Sequence, residues 1–182
     1  MNNSPIGVFD SGVGGLTVAR EIMRELPDES IVYFGDTARV PYGSKSRETV
    51  TTFSKQIIRF LKTKDVKAIV IACNTASAFA LHEVAKDADI PIIGVIEPGA
   101  RTANNVTENG RVGIIATEGT VRSGTYEKVL KKINPNLKVF LKACPLFVPL
   151  VEEGWRYDSV TYEVADRYLN DIMTYDIDTL VL

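Results

Sequence analysis

Short uninterrupted apolar runs alternate with stretches of helical spacing along almost the whole chain, and few folds accommodate that alternation. Residues 6–9, 31–34, 68–72, 92–96, 112–116, 139–141 and 179–182 read as strands. Between them, residues 16–26, 47–62, 75–85, 121–132 and 160–175 carry apolar side chains at intervals of three and four, the helical period. A strand that is apolar at consecutive positions has both faces buried, which is the mark of a parallel sheet covered by helices on each side. The pattern predicts an α/β fold of doubly wound parallel sheets. At Glu97-Pro98-Gly99 a strand end meets two helix-breaking residues. A break there divides the chain into an α/β lobe over residues 1–97 and a second over 98–182, with the active site expected in the cleft between them.

The bulk properties narrow the function. A formal charge of −2 over 182 residues provides no basic field to hold nucleic acid or an anionic membrane. No apolar run approaches the length of a membrane span. Residues 1–5 lack the charged-then-apolar pattern of a signal peptide, so a cytoplasmic protein is expected. The two cysteines, Cys73 and Cys144, are expected to be reduced in that compartment. With one histidine, His82, they cannot easily supply the three or four ligands of a zinc site. An all-carboxylate metal site stays open.

In open parallel sheets, ligands bind beyond the carboxyl ends of the strands. The residues at those positions are Asp10-Ser11, Gly35-Asp36, Cys73-Asn74-Thr75, Glu97, Thr117 and Cys144. This acidic, hydroxyl- and thiol-bearing set, without lysine or arginine, suits a small polar substrate better than a polyphosphate. Asp10-Ser11-Gly12-Val13-Gly14-Gly15 is a glycine-rich turn entering a helix, but it matches neither phosphate-binding glycine pattern. Two readings stay open: a tight turn needing positive φ at glycine, or a substrate loop in which Asp10 meets an ammonium group.

Cys73 stands between an apolar strand and a helix start, where a thiolate is favoured and the thiol pKa is expected to fall. Asn74 and Thr75 can donate hydrogen bonds there or cap the helix. The alternative is a small buried hydrophobe, the commoner fate of a free cysteine. Cys144 has apolar neighbours and reads as a packed core thiol. His82, one turn into the helix, reads as structural or exposed. Glu152-Glu153 ends an apolar helical stretch and reads as a solvated face, though it lies near the expected cleft.

These segments resemble glutamate racemase, of the aspartate/glutamate racemase superfamily. The resemblance rests on 7–16 (GVFDSGVGGL), Tyr33-Phe34-Gly35-Asp36-Thr37 with Pro41-Tyr42-Gly43, Ala72-Cys73-Asn74-Thr75-Ala76-Ser77, Gly113-Ile114-Ile115-Ala116-Thr117 with Thr120, and Ala143-Cys144-Pro145-Leu146 followed by Val151-Glu152. It implies cofactor-independent interconversion of L- and D-glutamate, supplying D-glutamate for peptidoglycan, in a cytoplasmic homodimer. It implies that Cys73 is one of two thiols working on opposite faces of the substrate α-carbon. Asp10, Ser11, Tyr42, Gly43, Asn74 and Thr75 fall at substrate-binding positions. Thr117 and Thr120 match hydroxyls near the substrate carboxylate. Asp10 and Glu152 are expected to tune the thiols or meet the ammonium group. The family's second thiol lies in a Gly-Cys-Thr-His-Tyr-Pro motif after a strand like 179–182, where this chain ends. Cys144 does not match that position, so the 182-residue chain is expected to be impaired. The family's N-terminal extension, linked in some members to activation, is not expected here.

The chemistry explains the residue types. Racemisation removes a proton from one face and returns one to the other, which a single base does poorly. Thiols reach either protonation state with a modest pKa shift. Donors such as Asn74, Thr75 and Thr117 can stabilise the carbanion. Two rival readings are a related superfamily enzyme, such as an aspartate racemase or a single-thiol decarboxylase, and a non-catalytic binding module.

Overall fold

The computed structural model describes residues 3–86 and 88–182. The chain forms two compact units, residues 1–95 and 96–182.

The first unit holds a parallel four-stranded sheet of β1 (Ile6–Asp10), β2 (Ile31–Gly35), β3 (Ala68–Ile71) and β4 (Ile92–Gly94), in the order β2-β1-β3-β4. Val8 pairs with Tyr33 on one side and with Val70 on the other. Alternate residues face opposite ways, as the strand period requires. Ile6 and Val8 pack with Ala19, Val18 and Ile22 of α1 (Leu16–Glu25). Phe9, Ile69 and Ile71 pack with Val50, Ile57, Ile58 and Leu61 of α2 (Arg47–Lys62). Both faces are thus covered, which is why the strands are apolar throughout. The Ser46 hydroxyl starts α2 by accepting from the Thr49 N–H.

The chain after β3 leads into α3 (Asn74–Phe79) and then α4 (Leu81–Lys86), which are separate short helices rather than the single helix expected over 75–85. Strand β4 stops at Gly94, two residues short of expectation. A Cβ on Gly94 would lie 2.8 Å from Leu81 Cδ2 and 2.9 Å from Ser77 Oγ, so glycine lets α3 and α4 approach the strand end.

The second unit opens with α5 (Ile96–Val106), which runs straight through the segment expected to break the chain. Pro98 lies in its first turn, where no intrahelical N–H donor is needed. Gly99 faces the Tyr126 ring, 3.6 Å from its hydroxyl to the position of a Cβ. The sheet here is β5 (Arg111–Ala116), β6 (Lys138–Ala143) and β7 (Thr179–Val181), parallel in the order β6-β5-β7. Around it lie α6 (Glu118–Ser123), α7 (Thr125–Ile133), α8 (Phe147–Glu152) and α9 (Ser159–Met173). The helix expected over 121–132 starts earlier and breaks at Gly124, which adopts φ +65° between α6 and α7. Among the described residues, no helix is long and apolar enough to cross a membrane.

A carboxylate staples the end of this unit. Asp178 accepts from the Thr107 hydroxyl (2.6 Å), the Glu108 and Asn109 N–H groups (2.7 Å each) and the Thr179 hydroxyl (3.0 Å). These donors, the Thr107 hydroxyl foremost, hold its carboxyl down to about 2 from an ordinary 3.8. The folded pKa lies below the unfolded one, so this stabilisation is complete above pH ~4 and is lost as pH falls toward 2. Asp178→Asn is therefore expected to melt below the parent at pH 6, with the gap narrowing as pH falls through that window. A gap that stays constant down to pH 2 would contradict this assignment.

Candidate active site

Strand order β2-β1-β3-β4 places the topological switch point between β1 and β3. The chain leaves β1 toward β2 on one side and returns to β3 on the other. A crevice opens at such a point beyond the carboxyl ends of the two strands. Asp10-Ser11 emerges from β1 and Cys73 from β3, so the fold brings these two segments together.

The glycine-rich turn is organised by Asp10, which is only 7% exposed. Its Oδ2 accepts from the Gly12 N–H (3.0 Å) and the Gly15 N–H (3.1 Å). The carboxylate thus turns back to hold its own loop. The expectation of positive φ is not met at Gly15, whose φ is −64°. Gly15 is required for close approach instead. A Cβ there would fall 2.5 Å from Asp10 Cβ and 3.0 Å from both Ala72 Cβ and the Tyr33 hydroxyl.

Cys73 is the N-cap of α3, and its sulfur accepts from the Ala76 N–H at 3.4 Å. The thiol donates to Ser11 Oγ, also at 3.4 Å. Contrary to the expectation of a lowered value, its pKa is pushed up to about 11. Burial is the main cause and the Asp10 charge adds to it; the Ser11 hydroxyl and the Ala76 and Ser11 amides pull the other way without prevailing. One turn of helix and three donors are outweighed by the burial of Cys73, a residue only 5% exposed, beside a carboxylate. Asn74 is half-buried and Thr75 buried at the start of α3.

Tyr42 and Gly43 are buried in the loop after β2, and Tyr42 shares a packing cluster with Cys73 and Phe79. The Tyr42 hydroxyl donates to the carboxylate of Asp36, which is itself 4% exposed. Arg39 Nε lies 2.7 Å and 2.9 Å from the two Asp36 oxygens. Burial, then the Asp36 bond, raises the Tyr42 pKa, so the phenol stays protonated. Asp36 was visible in the sequence as a residue beyond a strand, but its pairing with Tyr42 and Arg39 was not.

In the second unit, Thr117 is the N-cap of α6, and its hydroxyl accepts from the Thr120 N–H at 3.3 Å. The two threonine hydroxyls lie 3.1 Å apart. Glu152, at the end of α8, is exposed. Cys144 is buried with Ile115 and Ile172 against Phe140, Phe147 and Tyr168. Burial raises its thiol pKa, with Lys142 opposing. It is a core thiol, as its apolar neighbours suggested. His82 is exposed on α4.

The Asp/Glu/Hydantoin racemase family profile matches residues 6–182. A glutamate racemase of Geobacter metallireducens is 58% identical over 177 residues, 97% of this chain and 66% of that protein. One of Bacillus cereus is 52% identical over 180 residues, 99% of this chain and 67% of that protein. Among solved structures, a glutamate racemase isoform from Bacillus anthracis superposes with a TM-score of 0.95 at 47% identity, covering 100% of this chain and 68% of that one. The Francisella tularensis glutamate racemase in complex with D-glutamate gives 0.91 at 45% identity, covering 100% of this chain and 68% of that one. The chain thus spans about two thirds of the length of these relatives. With parallel sheets, the expected order of motifs and near-complete coverage in agreement, the chain belongs to the Asp/Glu/hydantoin racemase family.

Proposed function

We propose that this protein interconverts L- and D-glutamate without a cofactor, with Cys73 as one of two thiols that exchange protons with the substrate α-carbon. The observation that carries this reading is the Cys73 sulfur, set at a switch point between the Ser11 hydroxyl and the Ala76 N–H, in a chain so similar to glutamate racemases. Burial and Asp10 keep that thiol protonated, which is the form that delivers a proton. Asp10 and Glu152 tune the thiols or meet the substrate ammonium. Ser11, Tyr42, Gly43, Asn74, Thr75, Thr117 and Thr120 contact the substrate. Residues 1–182 supply one thiol of the pair, since Cys144 is packed in a core. In the cell, the reaction would provide D-glutamate for peptidoglycan from a cytoplasmic homodimer.

Proton exchange in deuterated water tests the reading. Family-length protein is expected to wash deuterium into the α-position of glutamate and to leave aspartate largely unlabelled. The isolated 182-residue polypeptide is expected to racemise glutamate at least ~100-fold more slowly, the contribution of one acid/base group. Labelling of aspartate but not glutamate would favour an aspartate-specific enzyme. Labelling of neither by the family-length protein would favour a binding module.

A further inference from the structure

We propose that Tyr33 is a positioning residue for the Cys73 thiol: by holding the Gly12 carbonyl, it fixes Ser11 against the sulfur. The inference deepens the reading of Cys73 as a proton carrier and rests on it for its purpose, but its test needs no turnover.

Tyr33 lies mid-strand in β2, with its ring packed among Ile6, Val8, Ala19 and Ala72. A hydroxyl on the rim of such an apolar cluster needs a partner. It donates to the Gly12 carbonyl at 3.0 Å. The Gly12 N–H meanwhile donates to Asp10 Oδ2, also at 3.0 Å. Gly12 is thus pinned through both of its backbone groups, one from β1 and one from β2. Ser11 is the residue between Asp10 and Gly12, so it cannot shift without breaking one of those bonds.

Two glycines make the arrangement possible. A Cβ on Gly35 would meet the Gly12 carbonyl oxygen at 2.6 Å, so the end of β2 is the seat on which that carbonyl rests. A Cβ on Gly15 would meet the Tyr33 hydroxyl at 3.0 Å. The Gly12 carbonyl fills the room at Gly35, and the Tyr33 hydroxyl bonded to it shares the room at Gly15 with Asp10 Cβ and Ala72 Cβ. What the lattice presents is Ser11. Its hydroxyl accepts the hydrogen bond of the thiol at 3.4 Å and can turn to donate once the sulfur is a thiolate. Its backbone N–H also bonds the sulfur, and both groups favour the thiolate against the burial that opposes it. A side chain two strand positions from the sheet end therefore reaches the sulfur through Gly12 and Ser11.

The test is alkylation of Cys73 by iodoacetamide between pH 7 and 9, followed by peptide mass spectrometry on the 182-residue chain. Cys144, buried in the other unit, serves as an internal reporter of general loosening. Tyr33→Phe keeps the ring and loses only the hydroxyl. It is expected to slow Cys73 alkylation about threefold, because about tenfold fewer thiolates are partly offset by a more nucleophilic sulfur. Cys144 should be unaffected. Gly35→Ala displaces the same carbonyl by a different route and should slow Cys73 likewise. Unchanged or faster alkylation of Cys73 in Tyr33→Phe overturns the proposal, and so does a parallel change at Cys144. Slowing in Tyr33→Phe but not in Gly35→Ala removes Gly12 as the intermediary and overturns the stated route. If glutamate shows no exchange while Tyr33→Phe still slows alkylation, the proposed function fails and the positioning role stands.

Discussion

Replacing Cys73 with alanine in the family-length protein is expected to lower glutamate racemisation by about 10²–10⁴-fold with the fold intact. The reason is geometric. Cys73 is the thiol at the switch point between β1 and β3, and the nearest alternative base is poorly suited to replace it. Asp10 Oδ2 is already engaged by two backbone N–H groups of its own loop. The Ser11 hydroxyl does not ionise near neutral pH. Cys73→Ser is expected to be nearly as inactive, since it preserves volume and hydrogen bonding but not acidity. Circular dichroism of glutamate, followed at its α-carbon chirality, reads the loss, and far-ultraviolet spectra check the fold. Retention of more than a tenth of parental turnover by either variant would remove Cys73 from the proposed chemistry.

The same residue shows where sequence reasoning reaches and where it stops. Its place, after an apolar strand and before a helix, was legible because β3 is apolar at consecutive positions and α3 begins at once. Its ionisation was not. A sequence displays the helix start that favours a thiolate, but not the burial and the Asp10 charge that overrule it. The glycine turn was legible as a turn, but the reason for its glycines was a close approach between segments far apart in sequence. Gly15 makes room for Asp10, Ala72 and Tyr33, and Gly35 for Gly12. Helix α5 was missed because Pro98 and Gly99 look like breakers. In a first turn the proline costs nothing, and the glycine lies in ordinary contact range of Tyr126 from another helix. The division of one expected helix into α3 and α4 has no breaker to announce it. Local patterns thus located the strands and the thiol, while tertiary contacts decided the conformation and charge of the groups around it.

The second large effect is expected at Asp36, where a stability measurement separates a structural anchor from a substrate contact. Asp36→Ala should destabilise the first unit by about 2–4 kcal/mol. Its carboxylate is buried and accepts from the Tyr42 hydroxyl and the Arg39 guanidinium. Arg39 also donates to Gln56 Oε1 at 2.6 Å and lies 4.1 Å over the Phe53 ring, so the cluster ties the loop after β2 to α2. Removing the carboxylate leaves a buried phenol without its acceptor and a guanidinium without its counter-charge. Asp36→Asn retains an acceptor for Tyr42 and should cost about half as much, because only the charge is lost. Tyr42→Phe removes the donor that Asp36→Ala strands, so the two substitutions should not add. The double variant is expected to be about 1 kcal/mol more stable than the sum of the single losses predicts. Urea unfolding of the four proteins measures that coupling. Additive losses would mean that Tyr42 and Asp36 act independently, and that the Pro41-Tyr42-Gly43 loop is held beside Cys73 by something other than this bond. If the losses couple as expected, raised KM in Tyr42→Phe with unchanged Cys73 alkylation would assign the phenol to substrate binding rather than to the thiol.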